Sequence, residues 1–407
     1  MPEEEYEEGF CGKLERTMYG TQDASHIWQE DYSANLEGAG YKRGVSNGAV
    51  FLNEDQDSRC LVHGDDFVLV GDEEAIKHMH ELLSKHYDLK MTGKIGFDEA
   101  DEREAVMLNR VLRCVPESEV FEIEADQRHA EIIIDELGLT GGSSVTTPIV
   151  KKKNEEVIAD AKLPAVKAEE ATRYRSATMR AKYLAQDRPD LDVAAKELAR
   201  HMQAPNEANF QSLKRLRRYL QGRPRAVLRY GVQKMPEYLD MVVDSDHAGC
   251  PITRKSTTGF VANFGDHVVK TGSALQSTVS LNSGESEYYA LVKGAAMGLA
   301  IQALLRDWGL EVKVRISSDS SAARSFSNRR GLGKQRHVQT RFLWVQERVA
   351  CKHISIVCIH TDVNHADVLT KAMSSVLQDK HLRKMGLRFL AGKSAKQKAT
   401  LKAGTKA

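Results

Sequence analysis

The sequence lacks the features that mark several common classes of protein. Its 6 cysteines form no C-x-x-C pair and no cysteine–histidine cluster at zinc spacing, which argues against a disulfide framework and a structural zinc. No N-terminal stretch has the charged, apolar and small-residue order of a signal peptide. The most apolar window, residues 288–305, is interrupted by Lys293 and Gln302. It therefore predicts a buried helix and no membrane span. Together these absences predict a soluble protein in a reducing compartment, cytoplasmic or alternatively nuclear.

The charges almost cancel, but they are unevenly distributed. The net charge is +1 over 407 residues, whereas residues 212–230 contain seven Lys or Arg and no acid. Such a run is usually a solvated face. Because no acid compensates it, contacts with nucleic-acid phosphates are the sharper interpretation. The predicted contact residues are Lys214, Arg215, Arg217 and Arg218, with Arg336 and Arg341 in a second basic cluster.

A chain of this length predicts two or three domains. We divide it into a first α/β block (residues 1–150), a linker with connecting helices (151–235), a second α/β block (236–375) and a basic, disordered tail (376–407). In the second block a meander of three strands is followed by alternating helices and strands. This order predicts an α/β fold, a mixed sheet with helices on its faces.

Acids in the second block stand at the ends of predicted elements. Asp244 ends an apolar strand, Asp319 follows VRISS, and Asp367 opens a short helix. Each could be a helix cap or a dipole partner, which is the commoner role. Glu285 has nearly the capping-box spacing from Asn282 and is expected to be structural. If the acids converge at one sheet edge, their repulsion requires a cation. A pair of Mg²⁺ ions and phosphodiester hydrolysis would fit.

Glu287 differs from Glu285 because of the helix face that it occupies. It shares a stripe with Leu291, Ala295 and Leu299, and residues four apart lie on one face of a helix. The carboxylate is therefore expected on the packed side, where it needs a partner.

Five segments of the second block resemble one known family. In chain order they read VVDSDHAGCPITRKSTTGFV, SLNSGESEYYAL, ISSDSSA, KQRHVQTRF and NHADVLTK, and they look like the ribonuclease H domain of copia-type LTR retrotransposon polyproteins. Ser245 and His247 stand where the family has alanine and tryptophan, and neither departure removes a metal ligand.

The resemblance implies an RNase H-like sheet and hydrolysis of the RNA strand of an RNA–DNA hybrid. It also implies a metal set of Asp244, Glu287, Asp319 and Asp367, holding two Mg²⁺ ions with Mn²⁺ as a substitute. His360 would correspond to the mobile histidine used near product release. A satisfied histidine at a strand end is the plainer interpretation of that residue.

CLVHGDDFVLVG in the first block resembles the paired-aspartate hairpin of reverse transcriptases. The resemblance makes Asp65 and Asp66 a polymerase remnant and the first block an α+β palm remnant. The family's further catalytic aspartate, in an Asp-x-x-x-Ala-Phe-Leu element, does not occur here. Two acids from one hairpin do not build a two-metal site, so DNA synthesis by this chain alone is not expected.

Three functions compete at this point. The first is a ribonuclease that acts on RNA–DNA hybrids. The second is a decayed or domesticated element that binds nucleic acid without catalysis. The third is a glycosyltransferase that uses Asp244 and Asp246 as an Asp-x-Asp metal site, which leaves Glu287, Asp319 and Asp367 unexplained. Retention of all four candidate ligands favours the nuclease.

Overall fold

The computed structural model describes residues 18, 20–138, 143–333, 335–392 and 394. These form two compact units: Met1–Lys90 with Ala300–Glu311, and Met91–Leu299 with Val312–Ala407. The division replaces the predicted boundary near residue 150. Lys334, the acidic N-terminus and the lysine-rich segment from residue 395 onward lie outside the described residues.

The first unit is a small antiparallel sheet with two helices. Its elements are α1 (Ala24–Gly38), β1 (Lys42–Arg43), β2 (Val50–Asn53), β3 (Ser58–His63), β4 (Asp66–Val70) and α2 (Glu73–Ser84). The strands pair in the order β1-β2-β3-β4. Helix α2 is amphipathic and buries Ala75, Met79 and Leu83. Met79 and Leu83 join the core beneath β3.

The second unit begins with three strands and a group of helices. These are β5 (Glu104–Met107), β6 (Arg110–Val115), β7 (Val120–Glu124), α3 (Gln127–Glu136), α4 (Asn154–Asp160), α5 (Ala168–Leu184), α6 (Asp192–Ala199) and α7 (Glu207–Gly222). Buried residues of α3, α5, α6 and α7 share one apolar core. The region predicted as a linker with connecting helices therefore contains a packed helical core.

The mixed sheet follows. The remaining elements of the second unit are β8 (Arg225–Gly231), β9 (Tyr238–Asp246), β10 (Thr257–Phe264), β11 (His267–Leu275), α8 (Ser283–Asp307), β12 (Lys313–Ser318), α9 (Ser321–Ser327), α10 (Trp344–Ala350), β13 (Ile354–Cys358), α11 (Ser375–Lys384) and β14 (Leu387–Leu390). Short 3₁₀ segments at Thr361–Val363 and His365–Leu369 lie between β13 and α11.

The strand order is β11-β10-β9-β12-β13. The first three strands are antiparallel, and β12 runs parallel to both β9 and β13. The predicted α/β class and the mixed sheet are confirmed. A second five-stranded sheet, β14-β8-β7-β6-β5, is antiparallel. The sequence analysis did not predict this sheet.

Helix α8 is long and apolar enough, by length and composition, to cross a membrane. In the structure it packs on the mixed sheet. A Cβ on Gly294 would lie 2.5 Å from Val243 Cγ1, and one on Gly298 would lie 2.8 Å from Val314 Cγ1. The two glycines therefore let the helix backbone approach β9 and β12 closely.

The predicted tail is wrong between residues 376 and 390. Helix α11 and strand β14 occupy this stretch, and β14 pairs with β8. Leu382, Met385 and Leu387 are at most 1% exposed and join the core beneath β9 and β10. The many basic residues of the segment led to the prediction of disorder, although its apolar side chains complete this core.

The shared core generates a first prediction. A fragment of residues 236–375 lacks Ala226 and Leu228 from β8 and the buried side chains of α11 and β14. Since losing one large core side chain costs about 2–5 kcal/mol, we expect no cooperative thermal unfolding of this fragment by circular dichroism. The full chain and a fragment of residues 91–394 should both unfold cooperatively. A sharp transition in the shorter fragment would show that the core does not need these segments.

A second prediction concerns the first unit, where one carboxylate organises the loop after β1. Asp307 accepts hydrogen bonds from the backbone N–H groups of Val45 (3.0 Å), Ser46 (2.8 Å) and Asn47 (3.1 Å) and from the Ser46 hydroxyl. Burial alone would raise the pKa of Asp307, but these hydrogen bonds outweigh it and the pKa is lowered. Asp307→Ala should lower the free energy of unfolding by about 2 kcal/mol.

The matched control is Glu311→Ala, which removes an exposed carboxylate paired only with Arg306. It should change stability by under about 1 kcal/mol. Because the folded-state pKa of Asp307 is lowered, its contribution is fully present above the unfolded value, about 3.9. The contribution is lost as the pH falls through the folded value. Urea unfolding at neutral and acidic pH measures both effects, and equal losses in the two variants would contradict the assigned role.

Candidate active site

Three acids converge at one edge of the mixed sheet. Asp244 lies near the end of β9, Asp319 directly follows β12, and Glu287 lies in the second turn of α8. Because β9 and β12 are parallel neighbours, their carboxyl ends meet at the same edge. Each of the three acids offers an oxygen within 4.8 Å of those of the other two.

Asp367 lies beside this group, on the Asp244 side. It belongs to the 3₁₀ segment His365–Leu369, whose first turn is capped by Asn364. The Asn364 side chain also donates to Val243 O at 3.2 Å, one residue before Asp244. All four acids predicted as metal ligands are thus in one neighbourhood, and three of them form the tightest group.

Each acid has an identified donor, and Asp244 and Asp367 also share a hydrogen bond. Thr370 Oγ1 donates to Asp244 Oδ2 at 2.6 Å, and Thr361 Oγ1 donates to Asp319 Oδ2 at 2.8 Å. The Ser245 N–H donates to Glu287. Lys371 Nζ donates to Asp367 Oδ1 at 2.8 Å.

Gly259 makes the contact of Thr370 with Asp244 sterically feasible. It pairs with Asp244 across β10 and β9, and a Cβ there would lie 2.8 Å from Thr370 Cγ2 and 2.9 Å from Ala366 O. A side chain at this position would therefore push the 3₁₀ segment away from β9. The sequence analysis did not select Gly259, Thr361, Thr370 or Lys371, although all except Thr361 lie in the family-like segments.

The electrostatics of the group call for a cation. Burial, reinforced by the charges of Asp244 and Asp319, raises the pKa of Glu287 to about 9. Burial and the charge of Asp367 raise the pKa of Asp244 to about 7. Glu287 Oε2 is also buried without a hydrogen-bond partner. A hard divalent cation supplies what these oxygens lack, and carboxylate oxygens are its usual ligands. The residues present fit such an ion.

Glu285 is structural, as its spacing suggested. It is 1% exposed and accepts hydrogen bonds from the Tyr289 hydroxyl (2.7 Å) and the Leu281 N–H (2.9 Å). His337 Nε2 lies 2.8 Å from Glu285 Oε2, the oxygen that also accepts from the Leu281 N–H. These partners satisfy the Glu285 carboxylate, and through them Glu285 anchors the start of α8, two residues before Glu287.

His360 lies at the end of β13 with an exposed side chain. Its ring accepts a hydrogen bond from the Asp362 N–H at 3.3 Å. The next residue, Thr361, binds Asp319. His360 is thus one residue from a direct contact with the acidic group, and its role stays a prediction.

Asp65 lies in the tight hairpin turn between β3 and β4, and Asp66 is the first residue of β4. His63 pairs with Asp66 across the hairpin, and Gly64 has φ +64°. Trp28 Nε1 donates to Gly64 O at 2.7 Å and holds the turn. Both aspartates are exposed. Within the described residues, no third His, Cys, Asp or Glu joins them in a metal-binding group.

The basic run on α7 is less available than its sequence suggested. Arg217 is 5% exposed and donates to Ile134 O at 3.1 Å. Arg215 donates to Thr147 Oγ1 at 2.8 Å, and Arg218 donates to Ser143 O at 2.7 Å. The prediction that Arg217 contacts nucleic acid is therefore corrected, because this guanidinium is used to hold α3 against α7.

The remaining predicted contacts are more open. Lys214 lies 5.4 Å from the Phe210 ring and is half-buried. Arg336 and Arg341 are exposed. The Arg341 guanidinium lies 4.8 Å from the Phe342 ring centroid. Its charge faces solvent beside the loop that His337 ties to α8.

No protein-family model matches the chain. The chain is 24% identical over 378 residues to the retrovirus-related Pol polyprotein from transposon TNT 1-94 of Nicotiana tabacum, covering 89% of this chain and 27% of that protein. It is also 24% identical to the transposon RE2 polyprotein of Arabidopsis thaliana, covering 92% and 25%. The chain therefore spans about a quarter of the length of these relatives.

A shorter relative is matched almost completely. An uncharacterized mitochondrial protein of Arabidopsis thaliana is 30% identical over 240 residues, which is 58% of this chain and 91% of that protein. Among solved structures, a foamy viral protease-reverse transcriptase in complex with RNA/DNA hybrid matches at 10% identity with a TM-score of 0.43, covering 85% of this chain and 39% of that one. That structural likeness is too low to carry an argument. The sequence matches, together with the five ordered segments, confirm the predicted resemblance: the chain belongs to the retrovirus-related Pol polyproteins of copia-type transposons.

Proposed function

We propose that the second unit is a divalent-metal-dependent ribonuclease that cuts the RNA strand of RNA–DNA hybrids. The observation that carries the proposal is the buried Glu287 oxygen without a partner, beside Asp244 and Asp319, where the pKa values of Glu287 and Asp244 are raised. A cation-free role would leave both features as a cost to the fold. A helix cap or dipole partner explains neither of them.

The proposed ligands are Asp244, Glu287, Asp319 and Asp367, which would hold two Mg²⁺ ions or their Mn²⁺ substitutes. When bound, the ions activate water and stabilise the leaving oxygen in phosphodiester hydrolysis. Thr370 and Thr361 orient Asp244 and Asp319 within the acidic group. The chain thereby meets the cation with a prearranged set of oxygens.

The hybrid would be held by cations that remain at least partly exposed. Arg336, Arg341 and Lys214 are the retained candidates, and their contacts with phosphate would weaken as salt rises. His360, which is exposed and adjacent to Thr361, would act near product release. Discrimination of RNA from DNA would come through 2′-hydroxyl contacts.

Cleavage is the direct test of this function. The full chain with Mg²⁺ should cut the labelled RNA strand of a hybrid, and Ca²⁺ should not support cleavage because it accepts looser, higher coordination. Asp319→Asn removes one ligand charge and should slow cleavage at least about a hundredfold, about 2.7 kcal/mol in barrier. Asp266→Asn is the matched control, since Asp266 is an exposed acid in the turn between β10 and β11. Its rate should stay within about threefold of wild type.

The opposite result identifies the competing function. If the full chain binds the hybrid in a salt-sensitive way but never cuts it with Mg²⁺ or Mn²⁺, the chain is a nucleic-acid binder without catalysis. Equal rates for Asp319→Asn and Asp266→Asn would also remove the acidic group from the chemistry.

A fourth prediction concerns the hairpin acids. Since Asp65 and Asp66 are joined by no third metal-ligating group among the described residues, the full chain should not extend a primer on an RNA or DNA template. A gel assay with labelled primer and all four nucleotides measures this. Extension abolished by Asp65→Asn would show that the hairpin is a working polymerase site.

A further inference from the structure

The donors that hold the four acids are not alike. Asp244 and Asp319 are held by threonine hydroxyls and Glu287 by a backbone N–H. Only Asp367 is held by a cation, the ammonium of Lys371. A neutral donor orients a carboxylate without changing the total charge of the group, whereas Lys371 also supplies one positive charge.

Lys371 acts on more than its hydrogen-bond partner. Burial lowers the pKa of the Lys371 ammonium, but the hydrogen bond to Asp367 and the charges of Asp244, Asp367 and Asp319 outweigh burial and raise it. In the reverse direction, the ammonium charge lowers the pKa of both Asp244 and Glu287 against the larger effect of burial. The ammonium therefore interacts electrostatically with all four acids.

The residues before Lys371 are buried, while about half of the Lys371 side chain is exposed to solvent. Leu369 and Thr370 are at most 2% exposed, and they pack against β10 beside Gly259. The Lys371 side chain is 49% exposed, compared with 15% for Asp367. A long side chain on a rigid attachment can leave the acids for solvent or for a phosphate without moving the fold.

We infer that Lys371 is an internal counter-cation of the acidic group, which neutralises the acids before metal binds and is displaced from Asp367 when a divalent ion enters. This inference rests on the proposed metal site and assigns Lys371 as a positioning residue. It follows that the chain weakens its own metal affinity in exchange for a stable metal-free state. Removing the charge should therefore tighten metal binding.

The test is a Mn²⁺ titration of the full chain by calorimetry. Lys371→Gln should bind Mn²⁺ at least about tenfold more tightly than wild type, since one positive charge within a few ångströms of the site is removed. Lys371→Arg keeps the charge and should stay within about threefold of wild type. Lys313→Gln removes an equal charge from the opposite end of β12, where Lys313 pairs with Glu237. It should leave the affinity unchanged within about twofold.

The rise in Tm that Mn²⁺ causes is a second readout, and loss of a merely structural lysine would not change it. Without metal, Lys371→Gln should melt below wild type, and saturating Mn²⁺ should raise its Tm by more than it raises that of wild type. If Lys371→Gln folds only when Mn²⁺ is present, the inference is supported, because a metal then replaces the lost charge. Failure of both Lys371→Gln and Lys371→Met to fold even with Mn²⁺ would overturn it.

Equal or weaker Mn²⁺ binding by Lys371→Gln would also overturn the inference, as would equal tightening by Lys371→Arg. Absence of Mn²⁺ binding in wild type and Lys371→Gln alike would have the same consequence. None of these readouts uses cleavage. A chain that never cuts the hybrid would defeat the proposed function, while the Mn²⁺ isotherms would still decide the role of Lys371.

Discussion

The repulsion among carboxylates at the β9 and β12 edge is the constraint on which the candidate site depends. Like charges a few ångströms apart in a partly buried setting cannot all be ionised without a cation. The fold nevertheless holds them together, because the parallel pairing of β9 and β12 places Asp244 and Asp319 side by side. The raised pKa of Glu287 and its buried oxygen without a hydrogen-bond partner both reflect the energetic cost of this repulsion and burial.

Several features of the fold serve to keep the acids in place. Gly294 lets α8 lie close against Val243, which brings Glu287 over the sheet edge. Gly259 does the same for the 3₁₀ segment that carries Asp367 and Thr370. The α11 lysines add support, since Lys380 and Lys384 donate to the carbonyls of Asp362 and Val363. The segment predicted to be a disordered tail therefore braces the loop whose Thr361 holds Asp319.

The sequence was most informative where several short patterns had to occur together. A meander followed by alternating elements predicted the mixed sheet, and acids at element ends predicted where Asp244, Glu287 and Asp319 would meet. It was least informative for the sheet β14-β8-β7-β6-β5, in which β8 pairs with both β7 and β14 and so joins residues far apart in the chain. Local periodicity carries no information on such pairing, and the charge of residues 376–390 hid the apolar face of Leu382, Met385 and Leu387.

The basic residues also show that sequence alone does not determine which partner a side chain binds. A run without acids predicted phosphate contacts, but an arginine can use the same donors on backbone carbonyls. Arg217 does so at Ile134 O and Arg218 at Ser143 O. Sequence spacing alone could not separate these cases, because Arg217 and Lys214 lie three residues apart on one helix and differ mainly in burial.

Burial also separates the two acidic sites of the chain. Asp65 and Asp66 lie on an exposed turn, where water solvates a carboxylate, so the hairpin can exist without a cation. Asp244 is 3% exposed, and Glu287 has an oxygen that neither water nor a donor satisfies. A pair of acids in water is compatible with a lost activity, because the fold bears no cost for keeping it. An acidic group that costs the fold stability, and that is held by donors from three separate segments, is better explained by a ligand that the group still binds.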